Sequence, residues 1–378
     1  MNAKFRKKWL VVYISIAAAV TLLNAAAWSS TRFCDAYIAY VFPVWVNTYG
    51  RLTGIFPFSV GEIMLGLGVL AVAFACLLAL AAVFMRLIRK NRDRRFWKFT
   101  RGYYLFFAWT LLIVCLVMTL NCFILYHAST FSQKYFGEDR GEYGLEELIA
   151  VRNMVVEKCN SLSLEMERDE DGTILYHEDI GDKAIEAMQS LGITYPQLDG
   201  YYPHPKPLYT SDFFSQQYMC GYYFPFSMEA NYNDVMYIMN KPSTMCHELA
   251  HLRGYIFEDE ANFISHLACV GSEDKFFQYS GYLCVLNYLD NDFYAAVGRD
   301  RERYDEQPAI SPLVIKDNVF VTQDEWDRIN GKALIDTETV DKVSDVLVDA
   351  TLKANGVADG MVSYSRVVRL LLQYYCGG

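Results

Sequence analysis

The sequence predicts an α+β fold that is mainly helical, with three N-terminal transmembrane helices followed by an extracytoplasmic domain. Three observations carry this prediction: uncharged apolar runs in the first third of the chain, helical periodicity in most of the remainder, and one stretch rich in Pro, Tyr and Phe. Of the 378 residues, 53% are hydrophobic and 21% charged, which argues against a disordered chain. We therefore expect a membrane domain over residues 1–126 and a second domain over residues 127–378.

The predicted spans cover about residues 9–28, 63–85 and 105–126, and none of them carries a charged residue. Each supplies about the 20 residues with which a helix crosses roughly 30 Å of hydrocarbon while satisfying its own backbone hydrogen bonds. A cleaved signal peptide is the alternative for the first run. That run is too long for a signal peptide and two further spans follow, so we expect the chain to be embedded in a lipid bilayer.

The distribution of basic residues predicts the orientation. Four Lys and Arg precede the first span and eight follow the second span, whereas the connection after the first span holds only Arg32 and Arg51. Cytoplasmic segments carry the excess of positive charge. We therefore expect a multi-pass protein of the bacterial cell membrane, with its N-terminus in the cytoplasm and the residues after 126 outside. The first connection is rich in aromatic residues, which suit either the outer membrane interface or packing on the second domain.

The second domain is acidic, with 20 Lys and Arg against 41 Asp and Glu. Because phosphate binding needs a basic face, this balance argues against a nucleic-acid partner. Six of the 10 cysteines fall in this domain. An even number permits disulfides in an exported domain without giving a pairing, and buried free thiols are the alternative. The oligomeric state stays open.

Helical periodicity predicts a series of helices in the second domain. Their expected bounds are residues 145–162, 180–191, 243–253, 258–270, 274–289, 339–353 and 362–375. Residues 203–238 mix Pro, Gly and Asn with Tyr and Phe, which favours short strands and ordered loops. Residues 304–327 are expected to be irregular because they contain two prolines.

The most informative segment is His247-Glu248-Leu249-Ala250-His251, an HExxH pattern. On a helix, positions i and i+4 share one face, so both imidazoles can reach a single ion. Glu248 projects beside that face, where a carboxylate can take a proton from a bound water. Zn²⁺ is the natural ion for such a site. The alternative is an amphipathic helix that happens to contain two of the six histidines.

A third ligand is expected from the acidic residues that follow. Glu258, Asp259 and Glu260 begin the next predicted helix, where acids are also favoured by the helix dipole alone. Glu258 and Glu260 are about 200° apart around a helix, so only one can face the ion. Small residues share the face of Glu258, which suits close helix packing. We choose Glu258 as the ligand and Asn262 as a partner for a ligand imidazole.

Glu260 is the alternative to Glu258 as third ligand, and Asp259 and His266 are less favoured. A closed structural zinc site would need a fourth protein ligand. Cys246 and His266 are the nearby candidates, but Cys246 lies about 100° from the ligand face on a helix.

HELAH followed by a helix with E-x-x-A-N resembles the glutamate-zincin peptidases. The similarity extends especially to membrane members such as the prenyl-protein and heat-shock membrane proteases and the antibiotic-sensing receptor proteases. It implies a zincin-like domain that binds zinc through His247, His251 and Glu258, with Asn262 supporting a ligand His. In those groups the second motif is typically E-x-x-A-D and lies farther from HExxH than it does here.

Four segments carry a second resemblance that covers nearly the whole chain. They are FPFSVGE at 56–62, GYYFPFSMEAN at 221–231, HELAHLRGYIFEDEANFISHLAC at 247–269 and NGVADGMVSYSRVV at 355–368. Together they resemble an uncharacterised bacterial membrane family, domain of unknown function 3810. The resemblance implies N-terminal spans and an HExxH-bearing domain, and it implies no substrate.

These observations lead to the hypothesis of a membrane-anchored zinc metallopeptidase that acts on peptides or proteins outside the cytoplasm. Glu248 would be the catalytic general base on zinc-bound water. The alternative hypothesis is a non-catalytic zinc-binding membrane receptor or scaffold. A zinc-free binding protein is a third possibility, which the intact Glu248 disfavours.

Two further segments have candidate roles. In glutamate zincins an edge strand before the HExxH helix binds an extended substrate by strand addition, and residues 221–231 occupy that place in the sequence. A buried aromatic strand is the alternative. Glu229 within this segment could reach the cleft or lie on the surface, and we expect it on the surface. Near the C-terminus, Tyr364 or Arg366 could stabilise a reaction intermediate, although helix capping around Gly360 explains that stretch more simply.

Overall fold

The computed structural model describes residues 3–87, 93–137, 143–354 and 366–377. Helix accounts for 71% of the structure and strand for 4%, so the mainly helical prediction is confirmed. The N-terminal third contains six α-helices. Their bounds are α1 Ala3–Ser29, α2 Thr31–Tyr40, α3 Phe42–Trp45, α4 Arg51–Thr53, α5 Val60–Leu87 and α6 Arg94–Met118.

Three helical segments in the described part of the chain are long and apolar enough to cross a membrane. They cover Lys7–Ser29, Val60–Leu87 and Arg94–His127, and they contain the three predicted runs. The third segment continues beyond α6 through a π-helical turn, Thr119–Phe123, and a 3-10 turn, Leu125–His127.

Polar side chains join the spans to one another. Asn24 on α1 donates its amide to the Thr119 hydroxyl at the end of α6, over 2.9 Å. Nearer the other end of α6, the Tyr104 hydroxyl donates to the Ala75 carbonyl of α5 over 2.7 Å. Such hydrogen bonds stabilise helix association where the surrounding hydrocarbon offers no alternative partner. Helix α6 is therefore the central span.

The first connection packs on the second domain. Cys34, Tyr37 and Ile38 are buried and belong to the same hydrophobic core as the second domain. A Cβ placed on Gly254 would lie 2.9 Å from Ile38, so this contact is close. Of the two alternatives for this connection, packing is what the structure shows, although Tyr40 stays exposed.

The second domain contains twelve helices in its described part. Their bounds are α7 Phe131–Tyr135, α8 Leu145–Ser163, α9 Ile180–Thr194, α10 Ser211–Ser215, α11 Lys241–His251, α12 Glu258–Val270, α13 Lys275–Ala296, α14 Arg301–Asp305, α15 Pro312–Asp317, α16 Gln323–Lys332, α17 Thr337–Ala354 and α18 Arg366–Cys376. Helix α12 lies at the centre and packs against α9, α11, α13 and α18. Burial of apolar side chains on both sides of α12 makes it the core of the domain.

A small sheet covers one side of α11. Its strands are β1 Lys206–Pro207, β2 Gly221–Phe224 and β3 Glu229–Tyr232, in the order β1-β3-β2. Strand β3 pairs with β1 in parallel and with β2 antiparallel, so β2 forms one edge. The turn between β2 and β3 includes Met228 at a φ of 54°. Strands were expected in this part of the chain.

Two expectations are wrong. Glu229 does not lie on the surface: it is 1% exposed and forms an ion pair with Lys206. Residues 304–327 are not irregular throughout: they contain α15 and the first half of α16, whose first turn is capped because the Thr322 side chain accepts from the Glu325 N–H. The first residues of the predicted helix at 362–375 lie outside the described residues.

Candidate metal centre

The HExxH segment lies on α11, between the sheet and α12. Pro242 occupies the first turn of this helix, where its missing N–H leaves no hydrogen bond unmade. After His251 the chain reverses at Gly254, whose φ of 86° is readily adopted by glycine. Residues 252–257 then lead into α12, which begins at Glu258. The reversal makes α11 and α12 present side chains to the same space.

The structure brings His247, His251 and Glu258 together. Nε2 of His247 lies 3.1 Å from Nε2 of His251. Oε2 of Glu258 lies 3.0 Å from Nε2 of His247, and Oε1 lies 3.9 Å from Nε2 of His251. The three ligand atoms lie within 4.8 Å of one another.

On each imidazole, a hydrogen bond made by Nδ1 determines that the proton is on Nδ1 and not on Nε2. Nδ1–H of His247 donates to Oδ1 of Asn262 over 2.8 Å, and Nδ1–H of His251 donates to the Tyr255 carbonyl over 2.7 Å. A neutral imidazole carries one proton, so both Nε2 atoms present lone pairs to the space between the helices. Asn262 thus occupies the supporting position that was expected of it.

This donor set fits a divalent cation. Two imidazole lone pairs and a carboxylate repel one another unless a positive charge lies between them. Zinc binds imidazole nitrogen at about 2.0–2.1 Å in tetrahedral geometry, which places neighbouring ligand atoms about 3.3 Å apart. The separations of 3.1 and 3.0 Å around His247 are close to that value. His247, His251 and Glu258 would hold the ion.

The fourth-ligand candidates are engaged elsewhere. The Cys246 thiol contacts the Ala184 carbonyl and the Cys269 thiol. His266 bonds through its two ring nitrogens to the Gly281 carbonyl and the Tyr375 hydroxyl. Within the described ranges, the group around His247 contains no fourth His, Cys, Asp or Glu ligand. The arrangement is that of an open site.

Without a cation the same residues share a proton. Burial lowers the pKa of His247, but the hydrogen bond and charge of Glu258 outweigh burial and raise it to about 9. Burial raises the pKa of Glu258, but His247 outweighs it and lowers that pKa to about 2. Burial, together with the charge on His247, lowers the pKa of His251 to about 4. His247 and Glu258 therefore form an ion pair, which a bound cation would replace.

Glu248 lies beside the three donors and against strand β2. A Cβ on Gly221 would lie 2.5 Å from Oε1 of Glu248, so only glycine fits there. The carboxylate accepts from the Tyr223 N–H, and within the described part of the chain its Oε2 has no hydrogen-bond partner. Burial raises the pKa of Glu248 to about 8. A carboxylate with such a pKa can accept and return a proton near neutral pH.

The remaining acidic candidates point away. Glu260 is buried and accepts from the Phe131 N–H. Asp259 is also buried, and the charge of Arg366 acts on it. The charge of Arg366 is thus directed at Asp259 and not at the three proposed ligands, and Tyr364 lies outside the described residues. Of the three acids in the first turn of α12, the structure places Glu258 alone beside the imidazoles.

Sequence reasoning missed two participants. Gly221 allows the Glu248 carboxylate to approach the sheet, and a glycine within an aromatic strand was the available signal. The Tyr255 carbonyl orients His251, and because any residue supplies a carbonyl, no sequence signal could have identified it.

Comparison with known proteins assigns a family. No curated protein and no solved structure matches the chain. The family described as "Protein of unknown function (DUF3810)" matches residues 37–372. This match runs from the first connection to the last helix, α18, and includes the two helices of the candidate metal centre, α11 and α12. The chain therefore belongs to the DUF3810 family.

Proposed function

We propose that this protein is a membrane-anchored zinc peptidase that hydrolyses peptides or proteins outside the cytoplasmic membrane. The observation that carries the proposal is that two imidazole nitrogens and the Glu258 carboxylate face the same space. Beside them lies the buried carboxylate of Glu248, one of whose oxygens has no hydrogen-bond partner among the described residues. Zinc held by His247, His251 and Glu258 would polarise the scissile carbonyl and lower the pKa of an attacking water.

Glu248 is the proposed general base and acid. It takes a proton from the water whose oxygen bonds to the carbonyl carbon. As the C–N bond breaks, it gives that proton to the leaving nitrogen. Its raised pKa comes from burial, so the same carboxylate can serve both steps.

Strand β2 is the proposed substrate-binding edge. It is an outer strand of the sheet, and its residues Gly221 and Tyr223 contact Glu248. An extended peptide pairing with this edge would lie along the carboxylate. Tyr222, in the same strand, is 38% exposed and available to such a peptide.

The proposed orientation places the second domain outside the cytoplasm. The first connection packs against that domain, so the two lie on one side of the membrane. The connection between α5 and α6 carries the excess of Lys and Arg, which favours the cytoplasm. A reporter enzyme that works only outside the cytoplasm should be active when it is fused to the C-terminus. A reporter that works only inside the cytoplasm should be inactive there, and the opposite pair of results would contradict the proposed orientation.

Metal content and turnover of the full-length protein test the proposal. We expect about one equivalent of zinc in the wild type and in Glu248→Gln, with turnover of a peptide library lost only in the variant. Glu258→Gln should lose zinc and Glu260→Gln, its matched control two residues away, should keep it. Unchanged zinc in His247→Ala would disprove the site. Zinc without turnover in the wild type would favour the receptor hypothesis.

A further inference from the structure

The candidate metal centre is attached directly to the outer end of the third span. The Tyr126 ring packs edge-on against Phe257, with ring centroids 5.4 Å apart, and Phe257 immediately precedes the ligand Glu258. The Tyr126 hydroxyl is also within electrostatic range of Glu258 and Tyr222. One layer of side chains therefore separates the proposed zinc ligands from the end of a membrane helix.

The proposed substrate-binding strand is attached to the same span. The Tyr223 hydroxyl donates to the Asn121 carbonyl over 3.1 Å, and the Asn121 amide donates to the Pro225 carbonyl over 2.7 Å. Asn121 lies in the π-helical turn near the outer end of this span. Strand β2 is thereby held against the outer end of the third span.

The other side of the hairpin is attached to α5. A Cβ on Gly61 would lie 2.5 Å from the Phe224 ring. The Glu229 carboxylate accepts from the N–H groups of Gly61 and Val60, over 2.7 and 3.1 Å. The β2–β3 hairpin thus bridges the outer ends of two spans.

Next to this bridge, the outer half of α5 is not covered by other described parts of the protein. The two helices touch at Ala71 and Ala75, where Tyr103 and Tyr104 of α6 donate to α5 carbonyls. Gly68 lies one turn closer to the outer end, on the same face as Ala71 and Ala75. Among the described residues, no heavy atom outside the chain neighbours and the backbone of α5 itself lies within 4 Å of a Cβ built on Gly68, and residues 63–70 are all exposed. This uncovered outer half of α5 leads to Gly61, against which Phe224 of strand β2 packs.

We propose that the substrates are polypeptides anchored in the membrane by an apolar span. The anchor enters between the outer half of α5 and α6, and the adjoining extended segment pairs with β2. This inference rests on the proposed function and specifies its substrate class. Because β2 is attached to the ends of two spans, the bond presented to Glu248 lies close in sequence to the anchor.

A paired substrate assay tests the inference. A randomised peptide library is joined to an apolar span of about 20 residues and reconstituted with the full-length protein in phosphatidylcholine vesicles. The same library is offered without the span, and with a Gly/Ser spacer of about 30 residues between span and library, which keeps the surface concentration constant. We expect cleavage next to the span to be at least about tenfold faster than in the other two forms.

Equal rates for the three forms would overturn the inference while leaving the peptidase intact. Absence of cleavage in every form, with zinc bound, would instead overturn the proposed function and the inference with it. Gly68→Leu adds a bulky side chain to the uncovered outer half of α5 and should slow cleavage of the anchored form only. Gly102→Leu on α6 is the matched control, since a Cβ there also meets no described atom within 4 Å. Equal slowing by both variants would contradict the proposed entry route.

A second measurement does not depend on turnover. In the Glu248→Gln background, Tyr222 is replaced by the photo-crosslinker p-benzoylphenylalanine. The same replacement at the exposed residue Leu164, at the end of α8, is the control. We expect crosslinks to the anchored library only from position 222. Crosslinks to the soluble library of equal yield would argue against membrane-anchored substrates.

Discussion

The buried ion pair between Lys206 and Glu229 allows a quantitative test of how the sheet is joined to α5. Nζ of Lys206 lies 2.6 Å from Oε1 of Glu229, and the two side chains are 6% and 1% exposed. The Lys206→Met variant keeps the length of the side chain but removes the ammonium group. The carboxylate of Glu229 then remains buried without its counter-charge.

The expected loss of stability follows from these contacts. A stranded buried carboxylate costs about 3–5 kcal/mol. The ammonium also donates to the carbonyls of Thr53 and Phe58, over 2.7 and 3.1 Å, and each lost hydrogen bond costs about 1 kcal/mol. We expect Lys206→Met to lower the free energy of unfolding by about 5–7 kcal/mol in all. Adding Glu229→Gln removes the stranded charge, so the double variant should recover about 2 kcal/mol relative to the sum of the single variants.

Denaturant unfolding of the full-length protein in detergent micelles measures these differences. Lys241→Met is the matched control, because Lys241 lies 2.8 Å from Asp234 in a pair whose carboxylate is 57% exposed. Its expected cost is below about 1 kcal/mol. Hydrogen exchange should also accelerate at residues 51–62 in Lys206→Met alone. Equal destabilisation by the two Lys→Met variants would refute the reasoning.

Three further predictions concern the metal centre and its surroundings. Asn262→Ala removes the acceptor for a ligand imidazole and should weaken zinc binding about 10- to 100-fold in a chelator competition, whereas Asn262→Asp should retain affinity. Burial lowers the pKa of His266 from 6.5 to about 4, so between these values the unfolded chain binds a proton that the folded chain does not. The contribution of His266 to the free energy of unfolding is complete above pH 6.5 and falls by up to about 3 kcal/mol toward pH 4, so the free energy of unfolding of His266→Gln should fall less steeply over this range. Gly221→Ala displaces the Glu248 carboxylate and should lower turnover about tenfold or more with zinc retained, unlike Gly102→Ala.

Local patterns predicted the helices of the site well. Helix α12 has the expected bounds, 258–270, because acids at its start and a glycine at its end are both local signals. Helix α11 begins at Lys241 rather than at residue 243, because Pro242 is compatible with a first turn. The choice of Glu258 over Glu260 as the acid beside the imidazoles combined helical geometry, which lets only one of them face the ion, with the small residues that share the face of Glu258.

Contacts between distant residues could not be predicted in the same way. Glu229 was expected on the surface, and residues 221–231 contain no Lys or Arg that could pair with it. Its partners are Lys206, on another strand, and the start of α5, 168 residues away. Likewise, the attachment of Tyr223 to Asn121 joins positions 102 residues apart. Such pairs depend on the tertiary fold, which a single sequence does not reveal.

The short connection between α11 and α12 has a consequence for how the protein matures. Only residues 252–257 separate His251 from Glu258, so all three proposed zinc donors fall within a dozen consecutive positions. The entropy lost on closing such a short loop is small, and contacts of low sequence separation form early in folding. The donor trio can therefore assemble as soon as two neighbouring helices have formed, before the C-terminal helix has been synthesised. Cation capture would then be an early nucleating event in biogenesis instead of a final loading step.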